Sequence, residues 1–198
     1  AAPTVAGKTI AVRGSCSASQ GNTEVLRPLK RRSTIYSDDT ITTGDKSSAK
    51  LRLADEALIS FDPDTVATIE SFIFSMKKEK ENKVDLKIVK GGFKLMSGLG
   101  NKKTGSQHAY KITSPSCSMG IRGTNLQFKS SFTNSKTKTR GTCAAIVTKG
   151  ALFITNRQGQ SITISSKDPK RNALFITAAG NFKVRPGSIL SAMINQCP

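Results

Sequence analysis

At 198 residues the chain is long enough for one substantial hydrophobic core, and it fits one domain spanning 1–198 better than two. Its 31 Lys and Arg outweigh 13 Asp and Glu for a net charge of +18; twelve of the acids lie between Glu24 and Asp85, leaving Asp168 as the only acid of residues 86–198. No apolar run approaches the roughly 20 residues of a membrane-spanning helix, and four scattered cysteines with one histidine do not supply the closely spaced ligands of a structural zinc site.

The chain opens Ala1-Ala2-Pro3 without an initiator Met, small residues of the kind that follow signal-peptidase cleavage, so an exported protein is expected, periplasmic or extracellular. From there strand signals dominate. Leu51 and Leu53 flank Arg52, Ile59 and Phe61 flank Ser60, and Leu86 and Ile88 flank Lys87. The pattern continues with Phe93 and Leu95 about Lys94, Leu126 and Phe128 about Gln127, Leu152 and Ile154 about Phe153, and Ile162 and Ile164 about Thr163. Alternation of this kind puts one face on a core and the other in water. Breakers recur between the runs, including Asp62-Pro63-Asp64, Gly91-Gly92 and Pro186-Gly187. Three polar, lysine-bearing stretches read as loops: Lys77–Lys83, Asn101–Gly105 and Thr133–Gly141. Only Ser188–Asn195 has helical spacing, with Ser188 as its cap. The expected fold is all-β and rich in antiparallel pairing, a β-sandwich or a β-roll or solenoid-like single domain, with one short C-terminal helix.

Two segments carry a family pattern. The first runs Asp39-Thr40-Ile41-Thr42-Thr43-Gly44-Asp45 through Leu51-Arg52-Leu53-Ala54-Asp55 to Phe61-Asp62-Pro63-Asp64-Thr65. The second is Thr113-Ser114-Pro115-Ser116-Cys117-Ser118-Met119-Gly120-Ile121-Arg122-Gly123-Thr124. Together with Val89-Lys90-Gly91-Gly92-Phe93 and Ile146-Val147-Thr148-Lys149-Gly150, they resemble the FecR family over about residues 35–160. Ser114 stands where a threonine usually precedes the proline, and Cys117 is a second departure. The resemblance implies an exported bacterial all-β domain used for sensing, binding or scaffolding. Family members linked to iron-siderophore signalling carry a transmembrane segment and a cytoplasmic anti-sigma region. Neither is present in these residues, so the expectation is a free-standing secreted module and not a partner in sigma-factor signalling.

Candidate site residues follow from local chemistry. Four cysteines allow three pairings, and export favours disulfides, with buried free thiols as the alternative. The first expectation is Cys16–Cys197, tying the chain ends, and Cys117–Cys143. Gly120 and Gly123 flank Arg122 and read as a tight turn, from which Arg122 would hold a carboxylate such as Asp45 or Asp55 inside the fold. His108 sits in a polar run and reads as a surface residue, no nucleophile elbow occurs, and Asp62 and Asp64 read as turn residues, not as an acid pair. No enzyme, cofactor or metal is therefore expected. The charge points to a polyanionic ligand such as lipopolysaccharide, an acidic glycan or an anionic lipid. Its expected contacts are Lys102, Lys103, Lys136, Lys138, Arg140, Lys167, Lys170 and Arg171. Contact with an envelope or host protein is the alternative. Nucleic acid is expected to bind only nonspecifically, because no stacking platform accompanies the lysines.

Overall fold

The computed structural model describes residues 3–78, 81–98, 110–131 and 142–190. Strand makes up 62% of these, and the rest is turn and connection apart from one helical turn over 187–190. In chain order the strands are β1 (Val5–Arg13), β2 (Cys16–Gln20), β3 (Arg27–Pro28), β4 (Thr34–Tyr36) and β5 (Asp39–Thr43). There follow β6 (Ser48–Leu53), β7 (Leu58–Phe61), β8 (Val66–Ile73), β9 (Lys83–Met96) and β10 (Tyr110–Thr113). The last are β11 (Cys117–Ser131), β12 (Thr142–Asn156), β13 (Ser161–Ser165), β14 (Ala173–Ile176) and β15 (Phe182–Arg185).

All fifteen belong to one hydrogen-bonded network. It has two rows. One runs β3–β2–β5–β8, then the first half of β9, β10, the first half of β11, the second half of β12, and β13. The other runs β4–β1–β6–β7, then the second half of β9, the second half of β11, the first half of β12, β14 and β15. Three long strands therefore run through both rows. Strand β9 also pairs with β10, β10 with β11, and β11 back with β9, so the network closes on itself at its centre, barrel-fashion. Every pairing is antiparallel except β9 with β10. The all-β, antiparallel-rich expectation is met. The narrower choice of sandwich or solenoid is corrected, because strands that cross between rows leave neither two separate sheets nor a stack of repeated coils.

The crossing is visible in the alternation itself. In β9, Val84, Leu86 and Ile88 face the core, but after Gly91 the inward residues are Phe93 and Leu95. In β11, Cys117, Met119 and Ile121 face inward, then Thr124, Leu126 and Phe128. In β12, Cys143, Ala145 and Val147 face inward, then Leu152 and Ile154. Each parity change falls at a glycine with positive φ: Gly91 (+90°), Gly123 (+58°) and Gly150 (+79°). An extra residue in a strand turns the following side chains to the other face and bends the strand, and glycine adopts the left-handed conformation this needs without strain. The register of β11 on β12 is broken between Arg122 and Asn125, at the same place. One apolar cluster contains residues of both rows, with Phe93 between Phe61 and Phe128.

The expected helix at Ser188–Asn195 starts one residue early, as a turn over 187–190, and residues 191–195 lie outside the described part. Leu190 packs on Ala144, Ile146 and Ala173, the face of β12 and β14 turned away from the main cluster.

Candidate functional site

The first family-like segment builds a tie between the rows. Thr43 ends β5, and its hydroxyl donates to the Asp62 carbonyl at 2.6 Å and accepts from the Thr65 backbone N–H at 2.9 Å. The Thr65 hydroxyl donates to the Gly92 carbonyl at 3.1 Å and accepts from the Gly92 N–H at the same distance. Thr43 and Thr65 are buried, so these bonds satisfy backbone groups that water cannot reach. Gly91 must lack a side chain here, since a Cβ would lie 2.2 Å from the Thr65 hydroxyl oxygen. Asp64 takes φ +54°, as expected of a turn residue between β7 and β8. Burial pushes the Asp62 carboxyl above its ordinary pKa, while Lys94 and Lys129 pull it back.

Asp39, at the start of the same segment, is buried and is held by both of its oxygens to one guanidinium nitrogen of Arg27 at 2.6 Å, with the Tyr36 N–H donating at 2.8 Å. Arg27 also lies 5.2 Å over the Tyr36 ring.

Asp55, between β6 and β7, is fully buried. The Tyr110 hydroxyl donates to its Oδ2 in a short bond, and the Ala57 N–H donates to Oδ1 at 3.1 Å. Burial raises the Asp55 pKa more than these donors lower it. Burial and the neighbouring carboxyl push the Tyr110 phenol well above its ordinary value. Sequence reasoning missed this pair. The phenol was unremarkable at the edge of a polar stretch, and 55 positions separate it from its acceptor.

The second segment is corrected in one respect. Gly120, Arg122 and Gly123 do not form a tight turn ahead of a strand. They lie within β11, with Gly120 opposite Phe153 and Lys111, and Arg122 opposite Ala151. Gly123 bends the strand, and the fully buried Thr124 that follows donates its hydroxyl to the Ala151 carbonyl. The Arg122 side chain lies outside what is described. Of its expected acceptors, Asp55 is taken by Tyr110 and Ala57, and Asp45 is exposed in a turn.

Cys16, Cys117 and Cys143 are buried thiols in this structure, so the expected disulfides are not formed in it. Cys197 lies outside the described residues. The Cys16 thiol points to the Arg13 and Ser48 carbonyls, and burial raises its pKa. Cys117 and Cys143 are neighbours around the Ser114 hydroxyl, at 3.4 Å and 4.0 Å.

The basic candidates are only partly placed. Lys102, Lys103, Lys136, Lys138 and Arg140 lie outside the described residues, as does His108. Lys167, Lys170 and Arg171 are exposed on the connection from β13 to β14. That connection is organised by Asp168, whose carboxylate accepts from the Lys170 N–H at 3.1 Å and whose carbonyl accepts from the Arg171 N–H. Among the described residues no three His, Cys, Asp or Glu side chains converge as metal ligands would.

The features that stand out are thus bends and buried ties within an all-β frame. The chain belongs to the FecR family: the family's model, described as FecR protein, matches residues 39–153, more than half of the chain, and that span holds all three glycine bends. Two solved structures share the fold, both of a Parabacteroides distasonis protein provisionally described as an anti-sigma factor. They superpose with TM-scores of 0.55 and 0.56 at 10% identity over 79% of this chain. The chain spans 65% and 64% of those proteins, less than two thirds of either. No curated protein matches it by sequence.

Family and fold together overturn the expected role. The polyanion-binding scaffold rested on net charge, and charge speaks to solubility and association, not to role; its alternative, contact with an envelope or host protein, gains no support from the family or the fold either. The exclusion of sigma-factor signalling falls with them.

Proposed function

We propose that this chain is an exported, non-enzymatic sensory module of a signal-transducing regulator of the anti-sigma kind. The observation that carries the reading is the FecR match over residues 39–153, which covers the closed centre of the fold. The provisional description of the two structural neighbours supports it. A fold by itself does not assign a function, so the family match weighs more than the superposition. In this reading the β frame presents a state outside the cytoplasm, and the output is a change in transcription. Among the described residues no helix is long and apolar enough to cross a membrane.

Two measurements test the proposal. Deleting the coding region should change transcript levels of a set of genes served by one alternative sigma factor, and supplying the chain in its natural context should restore them. Unaltered transcription in the deletion strain across growth conditions overturns the regulatory role. Osmotic shock should release the protein with periplasmic markers, and recovery with the cytoplasmic fraction overturns the export reading.

A further inference from the structure

Cys117 and Cys143 belong to opposite ends of one hairpin. Cys117 opens β11 opposite Asn156, whereas Cys143 lies near the start of β12 opposite Ser130. In a straight hairpin the span from one to the other would be on the order of 40 Å at about 3.3 Å per residue. Here both sulfurs reach the same Ser114 hydroxyl, at 3.4 Å and 4.0 Å. The bends at Gly123 and Gly150 make this possible, by folding the hairpin over so that its ends face each other across the core. Cys117 then stands in the first row of strands and Cys143 in the second, both almost fully buried. Cys16 is on β2 with its thiol engaged elsewhere.

We propose that Cys117 and Cys143 form a disulfide that staples the two rows of strands together across the folded-over hairpin. The reaction is thiol–disulfide exchange with a small-molecule or protein disulfide. Either sulfur can attack first; written for Cys117, the step begins with loss of its proton to solvent. Its thiolate attacks the oxidant disulfide and expels one thiolate. Cys143, having lost its proton to solvent, then attacks the Cys117 sulfur and expels the second. Two protein thiols lose two electrons and two protons, and the oxidant is reduced to two thiols. Because both sulfurs are buried, exchange takes place while the chain is incompletely folded.

The test uses refolding. The whole chain is denatured, refolded with oxidised and reduced glutathione, alkylated, and mapped without reduction. The expected product carries a 117–143 cross-link. Urea unfolding of this form, compared with the same sample treated with dithiothreitol, should show a folding equilibrium about a few-hundred-fold more favourable when oxidised, from closing a loop of about 27 residues. Cys117→Ala and Cys143→Ala should each abolish the difference. Should either variant fail to fold, the two redox forms of the wild type decide the matter alone. Alkylation of both cysteines after oxidative refolding overturns the proposal, as does a bond from either to another cysteine, or a 117–143 bond that leaves the urea midpoint unchanged.

Discussion

The Asp55–Tyr110 pair places a carboxyl in a fully buried position, with the Tyr110 hydroxyl and the Ala57 N–H as its donors among the described residues. Removing the phenol oxygen leaves Oδ2 unsatisfied, so Tyr110→Phe should destabilise by about 1–3 kcal/mol in urea unfolding, the cost of an orphaned buried acceptor. An unchanged midpoint would show that the pair adds nothing. The pH dependence has a definite sign. The folded-state pKa of Asp55 is raised, so the folded protein holds this proton more tightly than the unfolded chain. Asp55 therefore costs no stability at pH below its unfolded value, about 4, and costs progressively more as pH rises through the folded value. Asp55→Asn keeps an acceptor for Ala57 and removes the titration. Its stability relative to wild type should improve across that window and stay level below it; parallel pH profiles would refute the assignment.

Individual elements are defined less by their apolar residues than by where their alternation reverses. The bends also rank the glycines. Gly150 has φ +79°, and a Cβ there would lie 2.6 Å from the Gly123 carbonyl oxygen, so Gly150→Ala adds a backbone clash to an unfavourable conformation. Gly159 has almost the same φ, +78°, but nothing within 4 Å. Gly159→Ala should therefore cost only the conformational term, about 1 kcal/mol, and Gly150→Ala distinctly more. Equal losses in thermal or urea unfolding would remove the close approach of β11 and β12 from the explanation. The inward positions of β6, β7 and the second half of β9 are legible in sequence, because each run is short and keeps one parity. The reversals are not. Gly91 reads as a break between strands and Gly123 as part of a turn, and Gly150 stands out only within the family pattern, since a glycine that bends a strand and one that ends it look alike in sequence.

At the scale of the molecule, the charge was loud and the topology silent. Local alternation marks strands but not partners, so the pairing of β1 with β6, or of β10 with β9, had no signal in the chain. The family pattern was legible through Thr43-Gly44, Asp62-Pro63-Asp64 and Gly120-Ile121-Arg122-Gly123-Thr124. With the apolar cluster drawn from both rows, the described strands should unfold together. Tyr36 lies on β4 in one row and Tyr110 on β10 in the other, and the chain has no tryptophan. Tyrosine fluorescence and far-ultraviolet circular dichroism should give superimposable urea transitions, and two separated transitions would show that the rows are independent units. The central strand has a further consequence during synthesis. On the growing chain β9 is complete before β10 and β11 exist, so for a time one side of a 14-residue strand has no neighbour. A long bare strand edge invites a second copy to add itself, and lysines along an edge discourage that. Lys83, Lys87, Lys90 and Lys94 are spaced along β9, all with exposed side chains. Charge spaced in this way works against such addition until β10 and β11 cover the edge.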